Sequence, residues 1–116
     1  MLKASVLFLS GLALVKLFSN DSAWKEVTEL ACTRELSDGD VRKIVALMSK
    51  CDPIPADEEE ALKHPFVQFW MRLVSQRNSP VVRTNAQKLQ NDSGFIHEIV
   101  RLTQNLSESQ MTKLGT

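Results

Sequence analysis

The sequence predicts an all-α fold, a small orthogonal bundle of five or six helices that follows an apolar N-terminal leader. Three observations carry that reading. Apolar residues recur at helical spacing in segment after segment, and none alternates with period two. The segments are separated by short runs rich in Ser, Asp, Asn and Pro. One segment, Pro65 to Val74, is apolar over far more than a single face: at about 100° per residue, Phe66, Val67, Phe69, Trp70, Met71, Leu73 and Val74 sweep roughly 200°. That arc marks a central helix, since burying each of its large side chains is worth roughly 1.5–3 kcal/mol before ordering entropy is subtracted. With 116 residues, 43% hydrophobic and 24% charged, the composition is that of a globular protein with room for one core, so residues 20–116 are expected to form a single domain.

Residues 1–19 join Lys3 to an apolar run from Ala4 to Val15, and the polar Asn20-Asp21-Ser22 follows. This is the layout of a secretory signal peptide. Lys16 falls where the apolar run should fade, and cleavage after Ser19 or Ala23 places Leu17 or Asp21 three residues before the cut. Two other readings therefore stand beside it. One is a buried first helix, residues 3–18, of a cytosolic bundle. The other is a membrane anchor, for which the run is short against a span of about 20 residues.

After the leader, Asn20 to Ser22 supply N-cap oxygens, and Trp24, Val27, Leu30 and Ala31 predict a helix over 22–35. Ser37-Asp38-Gly39-Asp40 turns the chain and caps a helix over 38–50 with the stripe Val41, Ile44, Val45, Met48. Cys51-Asp52-Pro53-Ile54-Pro55 is an extended connector, because proline cannot continue a helix. Asp57 to Glu60 crowd the first turn of a short helix over 56–63, where the macrodipole favours carboxylates. His64 is read as the N-cap of the central helix or as a surface ring, and Pro65 as a first-turn residue of that helix, which runs up to Arg77. Val81, Val82, Ala86 and Leu89 mark a weaker helix that Asn91-Asp92-Ser93-Gly94 closes. The last strong helix, 94–106, is expected to bury Phe95, Ile96, Ile99, Val100, Leu102, Thr103 and Leu106, with His97, Glu98, Arg101 and Gln104 on a solvated face. Ser107 and Gln110 have the spacing of a capping box, predicting a short helix to Leu114.

The formal charge is zero, with Arg42-Lys43 the one adjacent basic pair, so no basic stripe exists to release counterions from nucleic acid. Two histidines lie far apart without Cys-x-x-Cys or His-Glu-x-x-His, and four glycines form no phosphate loop or nucleophile elbow. No catalytic residue, metal site or cofactor is expected. In a straight antiparallel hairpin of the first two helices, Cys32 and Cys51 would be offset by about nine residues, roughly 13 Å, beyond disulfide reach. A bond would need the first helix to end near Cys32 with Thr33 to Ser37 extended, so a disulfide, free thiols and a bond between chains all stay open. Three Asn-x-Ser sequons, at Asn20, Asn91 and Asn105, can accept glycans only in a eukaryotic secretory route. Without residues 1–19 the chain loses two lysines and carries a net charge of −2.

The run Glu29-Leu30-Ala31-Cys32-Thr33-Arg34-Glu35-Leu36-Ser37-Asp38-Gly39-Asp40-Val41 resembles the first cysteine region of arthropod odorant-binding proteins, and PADEEEALKHPFVQFWMRL is similar in layout to their later acidic and aromatic run. The resemblance implies a secreted six-helix carrier of small apolar molecules, but the family's Cys-x-x-x-Cys is absent, so its six-cysteine framework cannot form. The early cysteine helix also resembles that of microplusin-like proteins, whose metal-sequestering histidines this chain lacks. The leading expectation is a secreted, extracellular, non-enzymatic binding protein with an apolar pocket near Met48, Phe66, Phe69, Trp70, Met71 and Phe95, suited to a small neutral ligand. In the alternative, it is an extracellular interaction or defence protein without an internal cavity; a cytosolic helical domain is the third reading. Phe69 and Trp70 are expected to be almost fully buried.

Overall fold

The computed structural model, which describes residues 21–115, is helical in seven segments with no strand among them, and every segment after the first begins where a side chain accepts an otherwise unpaired backbone N–H. Residues 21–33 are helical (α1), followed by α2 (Asp38–Ser49), α3 (Glu58–Leu62), α4 (Pro65–Ser75), α5 (Pro80–Gln90), α6 (Ser93–Leu102) and α7 (Glu108–Gly115). The expected leader 1–19, the alternative helix 3–18 and the sequon residue Asn20 lie outside the described residues. Ser37 caps α2 in a reciprocal box with Asp40, Asp57 caps α3, Ser79 caps α5 and Asp92 caps α6. Ser107 and Gln110 form the predicted box ahead of α7, with the Ser107 N–H donating to Gln110 Oε1 at 2.9 Å and the Gln110 N–H to Ser107 Oγ at 3.3 Å.

The helices pack around one apolar cluster to which α1, α2, α4, α5 and α6 all contribute, joined by Leu36 and Ile54 from the connectors. Helix α3 is an outer excursion with no fully buried residue, Ala61 alone being partly buried against the core. Its acidic first turn pairs outward, Glu58 with Lys113 at 3.6 Å and Glu60 with Lys63 at 3.6 Å. At the crossing of α2 and α6, a side chain on Gly94 would stand 3.3 Å from Val45 Cγ1, so the absence of one lets the two helices approach closely.

Several helix ends differ from expectation: α3 starts at Glu58 rather than 56 and α4 stops at Ser75 rather than 77, while for α6 and α1 tertiary hydrogen bonds explain the difference. Helix α6 stops at Leu102 rather than 106, because the Leu102 carbonyl accepts the Ile54 N–H of the proline connector at 2.8 Å and the Thr103 hydroxyl donates to the Ile99 carbonyl at 2.6 Å. Helix α1 stops at 33 because Asn85 of α5 takes over its end. The Asn85 amide nitrogen donates to the carbonyls of Ala31 and Arg34, both at 2.8 Å, and its oxygen accepts the Leu36 N–H at 2.8 Å. Asn85 is 0% exposed. One turn on, Lys88 Nζ donates to the Leu36 carbonyl at 2.9 Å and meets Asp38 at 3.2 Å.

The solvated face expected on α6 is corrected in two respects. Ile96 and Val100, expected inside, are 48% and 66% exposed. Arg101 reaches across to α2, donating to the Met48 carbonyl at 2.8 Å while its Nε meets Glu98 at 2.8 Å. The apolar arc of α6 is wider than the strip its neighbours can cover, so Phe95 and Leu102 go in and Ile96 and Val100 stay out.

Two predictions follow from the α1–α2 corner. Asn85→Ala strands one N–H and two carbonyls, and is expected to cost about 3 kcal/mol in urea unfolding; Asn85→Leu, which restores volume but no partner, should cost as much. Asp40 accepts the Ser37 N–H at 2.9 Å and the Arg34 guanidinium at 2.9 Å, and these bonds, led by that from the Ser37 backbone, lower its pKa in the folded state. Its contribution is therefore complete above the ordinary carboxylate pKa of about 4 and is lost as pH falls through the lower folded value. The urea midpoint should fall with acidification in the wild type and fall less in Asp40→Asn, measured between pH 7 and about pH 2.

Candidate functional site

Helix α4 is oriented by its first residues. His64 is its N-cap, 8% exposed, with Nδ1 accepting the Phe66 N–H at 3.2 Å and Nε2 at 2.7 Å from the Asp52 carbonyl. Those partners assign the proton to Nε2, since a carbonyl can only accept. Both ring nitrogens are thereby occupied by the fold. Pro65 at the first helical position leaves no N–H wanting a partner.

From that start, α4 places Phe66 at the hub of five aromatic rings. Its centroid is 6.3 Å from Trp24, 6.1 Å from Phe69, 6.2 Å from Trp70 in a stacked arrangement, and 6.0 Å from Phe95. Phe69 is buried as expected. Trp70 is not: it is half-buried, stacked on Phe66 with Phe95 at 5.9 Å and its outer part reaching solvent.

The six residues expected to line one pocket are distributed by the helix over several surroundings. Met48, Phe66, Phe69 and Phe95 are core residues. Phe66, Trp70 and Phe95 also form the floor of a cleft of about 170 Å³, closed by Ile99, Thr103, Met111 and Gln90. Met71 is exposed on the other side of α4 and borders a second apolar groove, about 190 Å³, with Ile54, Leu62, Val67 and Leu106. A third opening, about 430 Å³, lies between α1 and α4, where Trp24 and Phe69 are rimmed by Asp21, Lys25, Glu29, Gln68 and Arg72. Its charges answer one another, Lys25 with Asp21 at 3.4 Å and Arg72 with Glu29 at 3.6 Å.

The Trp70 cleft is continued by the outer stripe of α6. Phe95, Ile99 and Thr103 line it, and Ile96 and Val100 lie next around the helix at about 100° per residue. Glu98 and Arg101, which could have made this surface charged, turn to each other and to α2 instead. The result is an apolar surface made of a ridge and a shallow cleft, with the exposed His97 and Gln104 along its polar edge.

The polar residues that hold this arrangement, Asn85 and Arg101, were not singled out by spacing. The available signal was an asparagine interrupting the stripe of α5, one turn from Val82 and from Leu89, where solvent-facing Asn has no reason to sit. Asn91 and Asn105 are exposed. Among the described residues, no group of three His, Cys, Asp or Glu side chains could hold a metal ion, and no helix is long and apolar enough to cross a membrane. Comparison with protein-family models, with curated proteins and with solved structures finds no match for this chain.

Cys32 and Cys51 are free thiols, so of the arrangements the sequence leaves open the internal disulfide does not form. Cys51 lies against the Trp24 side chain near the start of α1, whereas Cys32 is eight residues further along that helix, about 12 Å at 1.5 Å per residue. Burial raises both thiol pKa values, opposed by the Arg72 charge at Cys32 and the Arg101 charge at Cys51. Both thiols should therefore react with iodoacetamide at pH 8 more slowly in the native protein than in urea, and intact mass should show two alkylations without prior reduction.

Proposed function

We propose that this chain is a secreted, non-enzymatic helical interaction protein that docks the apolar face of a partner protein's helix on the α6 ridge and in the Trp70 cleft. The observation that carries the reading is the pair Ile96 and Val100, exposed one helical turn apart beside a half-buried tryptophan. Single exposed aliphatics need no explanation, but an apolar stripe continuous with an aromatic cleft is the anatomy of a docking surface. A spacing of one turn presents a ridge that fits between the side-chain rows of another helix. The cleft, at about 170 Å³, suits one anchoring side chain better than a small molecule, whose sites usually measure roughly 300–1,000 Å³. The odorant-binding-like layout would favour a carrier of small apolar ligands. Against it, four of the six candidate pocket residues are packed into the core. The order of charge and apolar run in the leader, with the sequons, supports the extracellular setting.

The test uses a photo-crosslinking residue at Val100, irradiated in the native extracellular fluid. One discrete adduct is expected, at least tenfold reduced by Ile96→Asp, while that substitution changes the unfolding free energy by less than about 0.5 kcal/mol because the site is exposed. An adduct of equal yield from a crosslinker at Glu35, or one indifferent to Ile96→Asp, overturns the surface. Saturable one-to-one uptake of a fluorescent apolar probe, without an adduct, would restore the carrier reading.

A further inference from the structure

Of the five asparagines in the chain, three stand in sequons, and the fold treats the two described ones alike. Asn91 is the C-cap of α5, immediately before α6, and Asn105 lies in the turn immediately after α6. Both are exposed, and neither side-chain amide takes part in a hydrogen bond with another described residue. The asparagine whose side chain the fold does need, Asn85, is fully buried and is followed by Ala-Gln, which is no acceptor sequence. Asn78 is exposed but followed by Ser-Pro. Acceptor sequences and structurally employed asparagines are thus separated.

We propose that Asn91 and Asn105 both carry N-linked glycans, one at each end of α6, with the Ile96–Val100 ridge between them. The inference rests on the extracellular reading above. In the step itself, the Asn side-chain nitrogen forms a bond to the anomeric carbon of an oligosaccharide carried on a lipid pyrophosphate. The carbon–oxygen bond to the pyrophosphate breaks, the lipid pyrophosphate leaves with the electron pair, and the amide nitrogen gives up one proton; nothing is oxidised or reduced. The donor belongs to the secretory route that the leader would enter. In the folded chain both glycans project from turns, where their bulk displaces no core residue and no helix-capping bond. Asp92, Ser93 and Ser107 keep their places at the starts of α6 and α7. Glycans at both ends of α6 would confine a partner to the space between them, so that a docking helix crosses α6 instead of extending past its ends.

The experiment expresses the chain, in an Asn20→Gln background that isolates the two described sites, from a eukaryotic secretory cell under its own leader and, separately, under an unrelated signal peptide. The expected result in both arms is secreted protein that peptide-N-glycosidase lowers in mass by two glycans, with Asn91→Gln and Asn105→Gln each removing one. Secreted material from the unrelated leader that the glycosidase does not change overturns the sites themselves, and loss of only one step overturns the other site. Glycosylation under the unrelated leader but not under the native one overturns the proposal through the compartment reading, which would then be at fault while the acceptors are competent.

Discussion

The arrangement depends on one buried amide. Asn85 sits in the apolar interior and has three backbone partners, all at the corner where α1 gives way to α2. A helix ending in the interior leaves carbonyls that water cannot reach, and a chain reversal exposes an N–H to the same apolar surroundings. A single side chain that both donates and accepts settles all three, which ties α5 to a corner about fifty residues earlier in sequence. Lys88 extends the clamp to Leu36 and Asp38 from the next turn of the same helix. With that corner fixed, the antiparallel course of α1 and α2 is set, and with it the slot that α4 fills.

The aromatic hub then decides what the outside looks like. Phe66 has ring neighbours from α1, from its own helix and from α6, so Trp70 and Phe95 are drawn together on the side where α7 passes. Nothing among the described residues covers the remainder of the α6 arc. The surface proposed for docking is therefore a by-product of geometry: Glu98 and Arg101 are committed to each other and to the end of α2, and the exposed His97, next to Ile96 and three residues before Val100, is the ionisable residue at its edge.

Helix positions were legible because they follow from local chemistry. Caps such as Ser37 and Ser107, and the proline at 65, act within three or four residues of themselves, and so does the apolar period. The N-cap reading of His64 is correct for the same reason, whereas the surface-ring reading is not, since the ring is buried. The features that failed are long-range. Asn85 looks locally like a mild helix breaker, and its value lies in partners that no window contains. The period of α6 shows that Ile96 and Val100 are apolar, but whether an apolar residue is covered depends on how many helices stand opposite. The ends of α1 and α6 moved inward because tertiary hydrogen bonds competed for their last carbonyls.

The imidazole of His64 has a further consequence. By bridging the Asp52 carbonyl to the Phe66 N–H, it joins the two feet of an excursion that contains α3, a helix with no buried residue. Between those feet, Ile54 is the one side chain driven fully into the core. An opening of residues 56–63 can thus begin and end without disturbing the aromatic hub, since the chain is pinned on both sides of it. Amide hydrogens there are expected to exchange as a separate, low-energy unit, ahead of the protons of α2, α4 and α5, whose release requires the whole core to come apart.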